Sequence, residues 1–228
     1  MSRTLAVARM QLVTKWTYLG NPLVILAAAF LLSVAIFALI PADEPKYGGG
    51  SQAPLWYFMV LGIQSMTLAF PFSQGLSVSR RAFYLGTLGL FSVLAVAMTA
   101  IYLLGGIAER ATNGWGVNGF FFAIPWVSDG PWYGTAVFYF TVMMLMFIIG
   151  FWFATIYKRW GTTGMLISLI GSAVLLLGFA ALATLSLWWG SIGAWLVQQT
   201  PLTMGAWAAV LCVALAVGSY LTLRRATP

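Results

Sequence analysis

YGTAVFYFTVMMLMFIIGFWFATIYKRWGTTGMLISLIGSAVLLLGFAALATLSLW (133–188) consists of two apolar runs, Tyr133–Tyr157 and Met165–Trp188, separated by the short polar insert KRWGTTG (158–164). Neither run contains Asp, Glu, Lys or Arg. Each is long enough to cross the hydrocarbon core of a bilayer as a helix, which takes roughly 20 apolar residues. Neither shows the roughly ten-residue alternation of a barrel strand. The insert brings two cations and two glycines between them, so the stretch predicts a pair of membrane helices joined by a short basic loop.

Working outward, the same signature recurs at Leu23–Ile40, Leu55–Leu76, Phe83–Leu104 and Leu202–Leu223, again without one charged side chain. The expectation is an all-α integral membrane protein with six transmembrane helices in a single domain over 1–228. Within it, 1–20 is an amphipathic interfacial helix and 21–228 the membrane bundle. Composition agrees: 61% of the 228 residues are hydrophobic and 7% charged, against about 25% charged in ordinary globular domains. Cys212 stands alone in an apolar run, which rules out an intramolecular disulfide and predicts a small buried hydrophobe.

Charge sorts by loop. Arg3, Arg9 and Lys15 precede the first run, Arg80-Arg81 join the second and third, Lys158-Arg159 the fourth and fifth, and Arg224-Arg225 follow the last. Nine of the eleven cations therefore fall on one face, while Lys46, Arg110 and all four acids, Asp43, Glu44, Glu109 and Asp129, fall on the other. Loops rich in Lys and Arg stay in the cytoplasm, so both termini are expected inside, in the cytoplasmic (inner) membrane of a bacterium. The pI near 9.9 is then a topology signal set by lipid, not by nucleic acid.

Residues 3–18 carry cations at 3, 9 and 15 among apolar positions, so Arg9, Lys15 and Trp16 are expected on a helix lying along the inner interface. Pro22 then opens the first span. The apolar stretch beyond 1–20 is longer than a signal-peptide core, which favours an uncleaved helix. Trp56, Trp115, Trp126, Trp132, Trp188, Trp189, Trp195 and Trp207 mark the outer headgroup level, and Trp16, Trp152 and Trp160 the inner one. NGFFFAIPWV (118–127) is too short to span and is expected in the outer interface, as is GSIGAWLVQQTP (190–201). Gly164, Gly171 and Gly178, and Ala208, Cys212 and Ala216, form small-residue stripes suited to close helix packing within or between chains.

Several chemistries lack their residues. Proton-coupled carriers use ionisable groups at membrane depth; the six runs hold none, and the chain has no His. Gln64, Ser65, Thr67 and Ser73 are polar but do not titrate near neutrality. A hydrolase needs a nucleophile with a base, or a metal cluster, and there is no GxxxxGK[ST] phosphate loop for ATP. No catalytic, cofactor or metal site is expected in this chain, and any energy for work must come from a partner.

FPFSQGLSVSRRAFYLGT (70–87) puts paired arginines where no carboxylate is at hand. Pro71 and Gly75 bend or end the second run, and Ser77 or Ser79 can cap a short new helix. The product is an elbow presenting Arg80 and Arg81 to the cytoplasm. The residues alone support no more than a positive anchor. The string Gly75, Ser79, Arg80-Arg81, Phe83-Tyr84, Gly86-Thr87 resembles the loop between the second and third helices of bacterial ABC-2-type transporter permeases, with Ala82 where members often carry an acid. IYKRWGTTG (156–164) and the basic leader extend the resemblance in layout over the whole chain.

That resemblance implies an exporter subunit. Gly75, Ser77, Ser79, Arg80, Arg81, Phe83 and Tyr84 would form an elbow docking on a separate ATP-binding subunit, with Phe83 and Tyr84 seated against its hydrophobic cleft and the bilayer edge. Lys158 and Arg159 would form the second cytoplasmic loop. Two permease copies, forming a homodimer, would pair with two ATPases that bind ATP and Mg, exporting a lipophilic, peptide or drug-like substrate. Two other classes stay open: a channel or non-ABC carrier, and a membrane scaffold or immunity subunit that transports nothing.

Overall fold

A computed structural model describes residues 3–41 and 44–224; Asp43 and Arg225 lie outside the described residues. The architecture is all-α, with eight α-helices in chain order among the described residues: α1 Arg3–Leu12, α2 Asn21–Leu39, α3 Ala53–Gln64, α4 Phe70–Gly75, α5 Arg80–Ala111, α6 Trp132–Leu185, α7 Trp189–Val197 and α8 Pro201–Leu223. A parallel pair of two-residue strands, β1 Lys46–Tyr47 and β2 Gly119–Phe120, stitches two loops together. Five helical stretches are long and apolar enough to cross a membrane: Trp16–Leu39, Gly49–Gly75, Arg80–Ala111, Trp132–Leu185 and Pro201–Leu223.

The difference between five stretches and six expected runs lies in α6. Its 54 residues are interrupted at Gly161, where φ is 68° and ψ is −164°, a conformation that is open chiefly to glycine. An unbroken helix of that length would reach about 81 Å at 1.5 Å per residue, far beyond a bilayer. Packing shows what the break does. Gly134 lies beside Leu202, Gly205 beside Val137 and Phe138, and Gly218 beside Trp152, so α8 runs parallel to the part of α6 before Gly161. The chain from 161 must therefore travel back along the bundle before α8 begins. That returning part, 162–185, is exposed along nearly its whole length.

The core is an aromatic stack where α4, α5 and α6 meet. Phe91 and Phe147 stack with centroids 4.1 Å apart, and Phe83 lies between Phe70 and Phe151 at 5.2 and 6.4 Å. These rings are essentially without solvent exposure. α3 and α6 approach so closely at Gly62 and Gly150 that a Cβ on either would run into the other helix's backbone, at Phe147 and Met59 respectively. In an apolar solvent, such small-residue crossings supply the packing that hydrophobic burial supplies in water. The small stripe expected at Gly171 and Gly178 meets nothing within 4 Å, whereas Cys212 and Ala216 do pack, partly buried, against the core.

Two spans contain a wide π turn, Trp16–Gly20 leading into α2 and Ser65–Ala69 between α3 and α4. Each precedes a proline by two residues, Pro22 and Pro71. Proline lacks an N–H and its ring crowds the carbonyl four residues back; a widened turn spreads those carbonyls, so both helices continue through their proline. The expected leader helix is thereby shortened. α1 ends at Leu12, Lys15 stands at the N-cap of the long Trp16–Leu39 stretch and Trp16 opens it, both exposed.

Candidate functional site

The basic end is assembled from four chain segments. Gly75 closes α4, and the four residues Leu76–Ser79 turn the chain with Ser77 in the left-handed region at φ 56°. Gln74 Nε2 braces the turn by donating to Val78 O at 3.2 Å. Ser79 has extended backbone and its hydroxyl accepts from Ala82 N at 3.3 Å, capping α5. The elbow is thus a tight turn, with no separate short helix: four residues are too few for one, and Arg80-Arg81 form the first turn of α5 itself.

The paired arginines are not equivalent. Arg80 Nη1 donates to Arg224 O at 2.8 Å and Leu223 O at 3.4 Å, closing the C-terminal end of α8. A cation there satisfies orphan carbonyls and complements the negative end of the helix dipole. Arg81 is exposed, at the rim of a groove of about 400 Å³ walled by Tyr84, Leu85, Val213, Ala216, Val217 and Tyr220. The two aromatics after them face inward: Phe83 is 0% exposed, and Tyr84 donates to Ala216 O at 2.7 Å while packing edge-on to Phe151. The expectation that Phe83 and Tyr84 seat against a partner is therefore corrected. They lock the elbow to its own bundle, because their positions on α5 continue its buried face. Ala82 is buried as well, so an acid in its place would sit inside the bundle rather than reach a partner.

Lys158 and Arg159 lie just before the break at Gly161, and the Arg159 guanidinium covers the Trp160 ring at 4.1 Å. Arg159 and Arg224 line one groove of about 460 Å³ with Leu221 and Thr222. α1 crosses the start of α5, with Val7 against Gly86 and Gln11 Nε2 donating to Thr87 Oγ1 at 2.7 Å. The exposed Arg9 is on this helix. The structure therefore brings Arg9, Arg80, Arg81, Arg159 and Arg224 to one end. The described acids lie at the other, Glu109 in the last turns of α5 and Glu44 and Asp129 in loops.

Sequence reasoning missed the residue that organises the opposite end. Glu109 is fully buried. Its Oε1 accepts from Trp115 Nε1 at 2.8 Å and Phe121 N at 2.7 Å, and its Oε2 from Phe122 N at 2.8 Å and Ala123 N at 2.6 Å. A buried carboxylate is tolerable when donors surround it in this way. The 118–127 segment, expected in the lipid interface, is thus folded onto the helix ends, with Phe121, Phe122, Ala123 and Val127 buried. Trp115 leaves the expected aromatic belt for the same reason. A signal was present: Glu109 continues the buried face marked by Phe91, Ala95, Met98 and Tyr102 along α5. Lys46, at the same end, donates to Phe37 O, Ile40 O and Val117 O and closes α2 as Arg80 closes α8.

Among the described residues no three His, Cys, Asp or Glu side chains come together in a way that could hold a metal ion. What the basic end can do chemically is present fixed positive charge on a braced scaffold. No family model matches the chain, and neither a curated protein nor a solved structure matches it.

Proposed function

We propose that this chain is the membrane-spanning permease subunit of an ATP-driven exporter, taking its energy from a separate ATP-binding subunit that docks on the basic end. The observation that carries the reading is the division of labour within Arg80-Arg81. One arginine is committed to the fold, and its neighbour is held outward by a turn braced at Gln74, capped at Ser79 and anchored by Phe83 and Tyr84. A cation presented on so rigid a mount, with no carboxylate nearby among the described residues, suits a fork-like contact with acids on a partner. An element joining two spans can pass a partner's movement to both.

In this reading α6 makes two crossings, turning at Gly161, for six in all. Both termini are cytoplasmic by the cation split, α1 lies along the inner interface, and the assembly holds two permease copies and two ATPases carrying ATP and Mg. The cargo is lipophilic, peptide or drug-like, and the membrane is the bacterial cytoplasmic one.

The test is capture of an ATP-binding subunit by the tagged chain from membranes of its host, with the captured ATPase quantified. Arg81→Ala should weaken capture by roughly 30-fold or more, the cost of removing one partner of a desolvated charge pair. Lys158→Ala with Arg159→Ala should have a much smaller effect. Equal, mild losses in both would reduce Arg81 to a lipid anchor and end the docking assignment. Gradient-driven transport by this polypeptide alone would replace the exporter with a carrier.

A further inference from the structure

The outer third of α5 carries a groove that the proposed docking does not use. It holds about 410 Å³ and is walled by Ala100, Leu103, Leu104, Gly106 and Ile107 from α5 and by Phe122 and Trp132 across from them. The lining is mostly apolar, and the hydroxyls of Tyr102 and Thr135 in it already donate to Ser51 O and Val127 O. Leu104, Ile107 and Trp132 are 65%, 66% and 72% exposed, so the groove is open to the side of the bundle. At its top stands Arg110, which donates to Ser128 O and is thereby fixed over the opening. Its guanidinium has further N–H groups, and no ion pair to it exists among the described residues. Glu109, the adjacent acid, is buried with its carboxylate occupied by four N–H donors, and Asp129 accepts from Trp126 N and lines a different groove with Gln199 and Pro201. Lys46, the other described cation at this end, is already spent on three carbonyls.

Depth gives the groove its occupant. Arg81 and Arg110 are 29 residues apart on one helix, about 43 Å at 1.5 Å per residue. A bilayer with its headgroups is about 40–45 Å thick. With Arg81 at one headgroup level, Arg110 stands at the other, and Ile107, Leu103 and Ala100 descend from it a turn at a time into the hydrocarbon. A cation at phosphate depth above a laterally open apolar furrow matches one molecule in both halves: a phospholipid with its phosphate on the guanidinium fork and one chain in the groove. The volume lies within the roughly 300–1,000 Å³ of small-ligand sites.

We infer that the furrow between the outer third of α5 and the 122–132 segment holds one anionic phospholipid from the leaflet at the Arg110 end. The inference rests on the membrane reading alone and is independent of the exporter reading and of which end faces the cytoplasm.

Native mass spectrometry of the protein released from bilayers of equal phosphatidylglycerol and phosphatidylcholine tests it. The wild type should retain one phosphatidylglycerol in clear excess over phosphatidylcholine. Arg110→Gln should erase that preference, a shift of about fivefold for one cation at a lipid surface. Gly106→Leu is the second variant. A Cβ there meets only Phe122 Cβ, at 4.0 Å, so leucine fits the fold while filling the furrow, and it should expel the retained lipid whatever its headgroup. Both variants are read alongside their thermal unfolding in detergent, and Gly106→Leu carries the test if Arg110→Gln is unstable. Retention unchanged in Gly106→Leu, or a headgroup preference that follows Arg81→Gln instead of Arg110→Gln, overturns the site and leaves ordinary surrounding lipid.

Discussion

At the Glu109 end of the bundle a carboxylate is sealed among N–H donors, while at the Arg81 end a guanidinium is held out from a turn that is itself well braced. Both ends are ordered, but the first turns its charge inward to fold a loop and the second turns charge outward. Glu109 replaces its lost hydration with Trp115 Nε1 and the N–H groups of Phe121, Phe122 and Ala123. Among the described residues Arg81 has no such set of partners, and its neighbour Arg80 has been taken for closing α8. Charge that is satisfied internally specifies structure; charge left over on a rigid mount is available to something else.

The comparison is broken most severely at Glu109. Glu109→Ala strands four donors, and each buried unsatisfied polar group costs about 1–3 kcal/mol. Loss of at least ~4 kcal/mol is expected, seen as a sharply lowered unfolding temperature in detergent. Glu109→Gln should fall between, since its amide nitrogen faces donors on one side. If Glu109→Ala unfolds like the wild type, the 118–127 segment is not held by this carboxylate.

Next come the two cations that close helices. Arg80→Ala and Lys46→Ala should each cost about 1–2 kcal/mol through helix-end carbonyls left without a donor. The readout is hydrogen exchange: faster at the last turn of α8 in the first variant and of α2 in the second, with no crossover between ends. Arg81→Ala is the contrasting case, within about 0.5 kcal/mol of the wild type in stability, its effect confined to partner capture. A large destabilisation by Arg81→Ala would erase the distinction between the paired arginines.

The smallest perturbation fixes which end faces which side. In a Cys212→Ala background, Ala111→Cys and Ser79→Cys introduce thiols at exposed positions at opposite ends. An impermeant reagent should label the first and spare the second in sealed cells. Ser51 is a poor reporter because it is only 2% exposed.

Apolar run length made the helices legible in the sequence, and the break in α6 was visible as KRWG before any geometry, because charge and glycine in an apolar phase have few other uses. The convergence of Arg80, Arg159 and Arg224 at one end followed from loop charge. What stayed hidden depends on orientation about a helix axis. Nothing local separates Arg80 from Arg81; which one meets the end of α8 is decided by a residue 144 positions away. Phe83 and Tyr84 read equally well as outward anchors or core rings until α6 and α8 are packed beside them. Glu109 was overlooked because an acid beyond an apolar run reads as solvent-facing, although its place on the buried face of α5 argued otherwise.

The π turns at Trp16–Gly20 and Ser65–Ala69 bear on stiffness. In each, the hydrogen-bond ladder reaches one residue further than in an α-helix, Asn21 N to Trp16 O and Phe70 N to Ser65 O, and the following proline removes a rung. Both weak points fall toward the basic end of their spans. A load applied there would not push α2 and α3 as straight rods. It would bend them first at Gly20 and Ala69, leaving the glycine crossing of α3 with α6 at Gly62 and Gly150 in register above the bend.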